Sequence, residues 1–166
     1  MKSFRVRELK RTDVEALLAF ETHNRAWFES HIDARDLDFY SEQGVAEHIE
    51  GYLSGFAVGA WHPFVIEDAN ERIVGRANLK CINALTGRAE VGYRIDQGAC
   101  GQGLATLALR YLIQEAKVRW QLTQLVAYVF EENVGSRKVL DRCGFLLEQP
   151  ACTDKTAGEC RFVLSI

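Results

Sequence analysis

The 166 residues suffice for one domain with a buried core, and an apolar share of 48% with 26% charged residues is that of an ordinary globular protein. A formal net charge of −3 gives no whole-molecule field for nucleic acid or anionic lipid, and no apolar run is long enough to span a bilayer. The opening Met1-Lys2-Ser3-Phe4 lacks the apolar stretch of a secretory signal. The five cysteines (Cys81, Cys100, Cys143, Cys152, Cys160) are odd in number without a Cys-x-x-Cys pair, which argues against a disulfide framework or a zinc site. The expectation is a single domain over residues 1–166, cytoplasmic, monomeric or homodimeric, with no metal, no membrane and no direct nucleic-acid partner.

Residues 4–9 alternate like a short strand. Thr12-Asp13-Val14-Glu15 has the spacing of a capping box and opens a helix with Val14, Leu17, Leu18 and Phe20 inward. Residues 33–40 read as loop. Ser41 or Glu42 starts a second helix, with Val45, Ile49, Tyr52 and Leu53 at helical spacing and Gly51, Gly55 and Gly59 fraying it. The period then changes to two. Residues 61–67 and 72–81 flank the turn Asp68-Ala69-Asn70-Glu71 as an antiparallel hairpin. A second turn at residues 83–87 leads into a strand over residues 88–96, with Ala89, Val91, Tyr93 and Ile95 on one face and Glu90, Gly92 and Arg94 on the other. A helix follows over residues 104–120, with Leu107, Ala108, Tyr111, Leu112 and Glu115 in register. Then come a strand (124–130), a helix (134–143), a strand (145–148) and a closing strand (159–166). This order predicts an α/β protein with a mixed sheet.

The segment that carries chemistry is the turn Asp96-Gln97-Gly98-Ala99-Cys100-Gly101-Gln102-Gly103-Leu104-Ala105-Thr106. Its glycines let backbone approach a ligand closely, and the unsatisfied amides and dipole of the helix start favour a phosphate or pyrophosphate. The same pattern also describes a tight strand-to-helix corner with no ligand. A Walker A loop is excluded, because Gly103-Leu104-Ala105-Thr106 has no lysine. A dinucleotide fingerprint would place its third glycine at Thr106 and its ribose-binding acid at Glu131 or Glu132.

The turn resembles the signature of the GNAT acyltransferase superfamily, R/Q-x-x-G-x-G/A, with Gly101-Gln102-Gly103-Leu104-Ala105 in place and Cys100 at the Arg/Gln position. The resemblance extends through Ala89-Glu90-Val91-Gly92-Tyr93 before it, and Asn133-Val134-Gly135-Ser136, Gly144-Phe145 and Glu148 after it. It is greatest to the branch that acetylates N-termini of ribosomal proteins. It implies a twisted, mostly antiparallel sheet of six to seven strands, flanked by about four helices, with a splayed central pair.

The resemblance also implies the following roles. Acetyl-CoA is the cosubstrate. Backbone at Tyr93, Arg94 and Ile95 meets its pantetheine arm, and Cys100, Gly101, Gln102, Gly103, Leu104, Ala105 and Thr106 hold its pyrophosphate. Asn133 fixes the cofactor or caps the helix, and Arg137, Lys138 or Arg142 reaches the adenosine phosphate. The family's frequent tyrosine acid falls at Leu140, so Ser136 takes the role of protonating the departing thiolate. Glu90 is the candidate base, directly or through water, or else a strand carboxylate paired with Arg94. The acceptor is a primary amine, on a protein N-terminus or on a polyamine, amino acid or aminoglycoside; a non-catalytic coenzyme A sensor is the third reading. Seven acids (Glu29, Asp33, Asp36, Asp38, Glu42, Glu47, Glu50) stand against Arg35 alone, which suggests a cationic acceptor, or simply a solvated face. His23 or His31 could line an acceptor pocket or stand exposed, and Trp27, Phe28, Trp61 and Phe64 are read as core ahead of the alternative that they line a pocket.

Overall fold

The computed structural model describes residues 3–30, 32–148 and 159–166. Seven strands form one sheet: β1 (Arg5–Glu8), β2 (His62–Glu67), β3 (Ile73–Asn83), β4 (Arg88–Ile95), β5 (Gln124–Phe130), β6 (Leu146–Leu147) and β7 (Glu159–Ser165), in the order β1-β2-β3-β4-β5-β7-β6. Every pairing is antiparallel except β4 with β5. The helices are α1 (Val14–His23), α2 (Arg25–Glu29), α3 (Glu42–Ala57), α4 (Leu104–Val118) and α5 (Val134–Arg142). Short α2 is one helix more than the sequence suggested.

Alternation along β2 explains the layering. Phe64 and Ile66 point into a core with Leu79, Val91, Leu109, Leu112 and Leu125, beneath α4 and α5. Val65 points the other way, into a second core with Leu17, Phe20, Val45 and Ile49 from α1 and α3. Helices therefore cover both faces, and β2 is buried throughout. Leu112 is fully buried; truncating such a residue to alanine costs about 2–5 kcal/mol.

Local signals hold with some corrections. The capping interaction before α1 belongs to Asp13, whose carboxylate accepts the Lys10 amide at 2.8 Å above a 3-10 turn, rather than to Thr12. Ser41 caps α3 by accepting the Gly44 amide, and α3 runs unbroken through Gly51 and Gly55. On α4 the buried stripe is Leu104, Ala108, Leu109, Leu112 and Ala116, and Leu107 is exposed. Gly144, at φ +91°, turns the chain out of α5, and the Phe145 amide then donates back to the Leu140 carbonyl at 2.9 Å. Cys81, Cys100 and Cys143 are free thiols, whereas buried Cys160 is disulfide-bonded, which the cysteine count did not suggest.

Candidate active site

β4 and β5 pair only where Arg88–Glu90 face Gln124–Val126, although both strands continue for several residues. On its other edge β4 stays paired with β3 as far as Ile95. The splayed pair thus leaves the β5-facing backbone of residues 91–95 without a strand partner, and an extended ligand can add there. Two cavities, of about 340 and about 430 Å³, meet at this gap and share Ile32, Tyr93, Arg94, Asn133 and Ser136 as lining.

The larger cavity runs along the glycine turn, lined by Ile95, Cys100, Gly101, Gly103, Leu104, Ala105 and Thr106. Gly101 and Gly103 have φ of +80° and +79°, in the left-handed region that L-residues avoid, and a Cβ on either would meet nothing within 4 Å. Gly103 directly precedes α4, so the helix's first amides and its positive dipole end open onto this space. Gln102 lies exposed on the same turn. These features fit a pyrophosphate. The Cys100 thiol donates to the Asp96 carbonyl at 3.4 Å, and burial, then the Asp96 carboxylate, pushes its pKa up, so it is no thiolate here.

The turn is anchored by a pair that sequence reasoning missed. Asn24, between α1 and α2, donates to the buried Asp96 carboxylate at 2.8 Å and accepts the Gln97 amide at 2.9 Å. The sequence offered only an asparagine directly after an apolar helix; its burial appears in the structure.

Where the cavities meet, the Tyr93 phenol oxygen lies 2.7 Å from the Ser136 hydroxyl oxygen. Burial pushes the phenol up to about 12, against the opposing Ser136 hydrogen bond, so Tyr93 stays protonated. Asn133 accepts the Ser136 amide at 3.2 Å and is the N-cap of α5, while also lining both cavities. Leu140, one turn beyond Ser136, lines the smaller cavity at the position where the resemblance led us to look for a tyrosine. The Tyr93 side chain enters from the opposite wall, a role beyond the backbone contact expected of it.

Glu90 lines the smaller cavity, with its carboxylate 3.6 Å from Lys80, its cross-strand partner. Arg94 is engaged elsewhere: with Arg76 and Arg35 it surrounds the fully buried Glu21 of α1 at 2.9, 2.8 and 3.2 Å. Burial opposes ionisation of Glu21, but the three guanidiniums overcome it and hold the carboxyl down to about 2. His48 accepts from Arg76 at 2.9 Å, and burial, then Arg76 and Arg35, depress its pKa to about 3, leaving it neutral.

Other expected residues fall outside the junction. Arg137 donates to the Glu131 carbonyl at 3.1 Å and does not line the cavity at the turn, whereas Arg142 does, donating to Thr106 at 3.5 Å. Among the seven acids, Glu29 pairs with Arg25 and Glu50 with Arg11, and only Asp33 lines the smaller cavity. His23 is exposed, and His31 lies outside the described residues. Phe28 is buried in the core, yet with Trp27 it also lines the larger cavity. No cluster of three metal-ligating side chains occurs among the described residues, and no helix among them is long and apolar enough to cross a membrane.

The model of the acetyltransferase (GNAT) domain matches residues 4–146, taking in the turn, the gap and Ser136. The chain belongs to the GNAT acetyltransferase family. It is therefore an acyltransferase that uses acetyl-CoA. This GNAT chain is 31% identical over 146 residues to the probable N-acetyltransferase YjcK of Bacillus subtilis, covering 87% of this chain and 81% of that protein. It is 25% identical over 147 residues to the ribosomal-protein-serine acetyltransferase of Escherichia coli, covering 89% and 81%. The solved structure of Mycobacterium smegmatis RimJ in complex with CoA-disulfide shares its fold, with a TM-score of 0.85 at 22% identity over 98% of this chain and 81% of that one.

Proposed function

We propose that this GNAT enzyme acetylates the α-amine at the N-terminus of a protein, a ribosomal protein first, by direct attack in a ternary complex. The observation that carries this reading is the Tyr93–Ser136 contact at the point where the cofactor cavity opens into the second cavity. The name of the Escherichia coli relative supports a ribosomal acceptor.

The pyrophosphate rests on the amides of residues 101–106 and the α4 dipole, with Arg142 beside them. The pantetheine arm adds to the free edge of β4 at Tyr93, Arg94 and Ile95, and an amide of this strand polarises the thioester carbonyl. The amine nitrogen attacks the carbonyl carbon, its proton passes to Glu90 directly or through water, and the carbon–sulfur bond breaks. The Ser136 hydroxyl donates to the departing thiolate. Holding both reactants at one junction supplies much of the rate.

The test is a thiol-release assay with acetyl-CoA against N-terminal peptides of ribosomal proteins, polyamines, free amino acids and aminoglycosides. The reading expects the highest kcat/KM on a peptide. Preferred use of a small amine overturns the acceptor assignment, and no release with any acceptor overturns catalysis.

A further inference from the structure

The acceptor-side cavity gathers three guanidiniums onto a single carboxylate. Arg76 and Arg94 face each other across β3 and β4, on the sheet face toward α1 and α3, and Arg35 reaches in from the preceding loop. All three line the cavity and share one carboxylate, Glu21. His48 offers Arg76 only a neutral nitrogen. Asp33 and Glu159 also line the cavity, Asp33 lies within ion-pair distance of none of these guanidiniums, and Lys80 and Glu90 pair with each other.

The cluster is also built rigidly. Each guanidinium lies over an aromatic ring, Arg35 on Phe39 at 4.5 Å, Arg94 on Phe28 at 4.8 Å and Arg76 on Tyr52 at 5.2 Å. Arg76 is almost wholly buried, and its Nε lacks a hydrogen-bond partner. Arg94 spends only Nη1 on Glu21, and Arg35 only Nε and Nη2, so donors of both remain available at the cavity. A desolvated cation cluster with spare donors gains most from an anion, and guanidiniums fixed in orientation match a carboxylate.

We propose that Arg35 and Arg94, backed by Arg76, seat a carboxylate of the acceptor, so that the preferred amine belongs to a molecule with a carboxylate close to it. This rests on the reading that the acceptor amine enters this cavity. It replaces the cationic acceptor suggested by the exposed acids with one that is anionic beside its amine. The carboxylate comes either from an acidic side chain next to a peptide N-terminus or from the α-carboxyl of a free amino acid.

The experiment compares kcat/KM for C-terminally amidated peptides Ser-Glu, Ser-Gln and Ser-Lys with otherwise identical tails, beside free alanine and alaninamide. The seat predicts Glu over Gln by about tenfold or more, mostly in KM, with Lys lowest. Arg35→Gln should bring the Glu-to-Gln ratio near one, while Arg25→Gln, paired with Glu29 away from the cavity, keeps it. Equal use of Glu and Gln peptides, or an unchanged ratio in Arg35→Gln, overturns the seat. So does an Arg35→Gln variant that loses coenzyme A affinity but keeps the ratio, which would assign the cluster to the cofactor. If no peptide is acetylated, the N-terminal reading falls, and the amino acid pair decides the seat: alanine over alaninamide supports it, and equal use overturns it.

Discussion

The Tyr93 phenol on β4 and the Ser136 hydroxyl on α5 lie 2.7 Å apart, across the gap that the two splayed strands leave open. Because burial keeps the phenol protonated, Tyr93 can donate to Ser136 and leave the serine proton directed elsewhere. Ser136→Ala should reduce turnover roughly ten- to a thousandfold, the usual span for acid–base groups, with little change in cofactor affinity. Tyr93→Phe should have a smaller effect, and the double variant should be no slower than Ser136→Ala, because the two act as a unit. Single-turnover rates check this; independent, additive losses would separate the two residues.

Gly103→Val should abolish coenzyme A binding. Its φ of +79° strains any β-branched residue, and a side chain there would occupy the open space at the start of α4. Calorimetry on variants shown to be folded by circular dichroism is the measurement. Cys100→Arg, which restores the residue type of the family signature, should bind equally well or better.

Glu90→Gln tests the base. If Glu90 accepts the amine proton, the acid limb of the pH–rate profile shifts or vanishes while KM for acetyl-CoA holds. Lys80, 3.6 Å away, loses its partner in this variant, so Lys80→Met serves as the control for a merely electrostatic effect. An acid limb unchanged in Glu90→Gln assigns proton removal to water.

Acid should destabilise the enzyme over two overlapping pH ranges. His48 is depressed from 6.5 to about 3, so the unfolded chain takes up a proton that the fold refuses, and stability falls as pH drops below about 6.5. Glu21 is depressed from 4.5 to about 2; its contribution is complete above pH 4.5 and is lost as pH falls toward 2. Thermal melts from pH 8 to 3 should show both, and His48→Gln, whose carbonyl can still accept from Arg76, should remove the first. Glu21→Gln should lower stability at pH 7 by about 3–5 kcal/mol, because it leaves three guanidiniums without their shared counter-ion.

Much of the fold was legible because its signals are local. The hairpin of β2 and β3, the Ser41 cap, the glycines before α4 and Asn133 before α5 each act within a few residues of chain. The inward face of β4, with Ala89, Val91, Tyr93 and Ile95, followed from a period of two. The glycine turn was legible for the same reason, since a strand, two glycines and a helix start are local signals, although Asn24, which anchors it, comes from a distant part of the chain.

The charge pattern of the smaller cavity was decided only in three dimensions. Glu21 on α1 carries no sign in the chain that it will be buried, and the three arginines around it come from β3, β4 and a loop. Sheet register determined their partners: with Lys80 opposite Glu90 and Arg76 opposite Arg94, the carboxylate once matched to Arg94 went to lysine, and Arg94 turned to Glu21. Tyr93 and Ser136, 43 residues apart, meet because β4 and β5 diverge. Periodicity says which way a side chain points, but charge compensation in a low-dielectric site depends on what the other elements bring there. That is why the amino-acid sequence determined the fold and the glycine turn, and the tertiary structure alone determined the charge pattern of the smaller cavity.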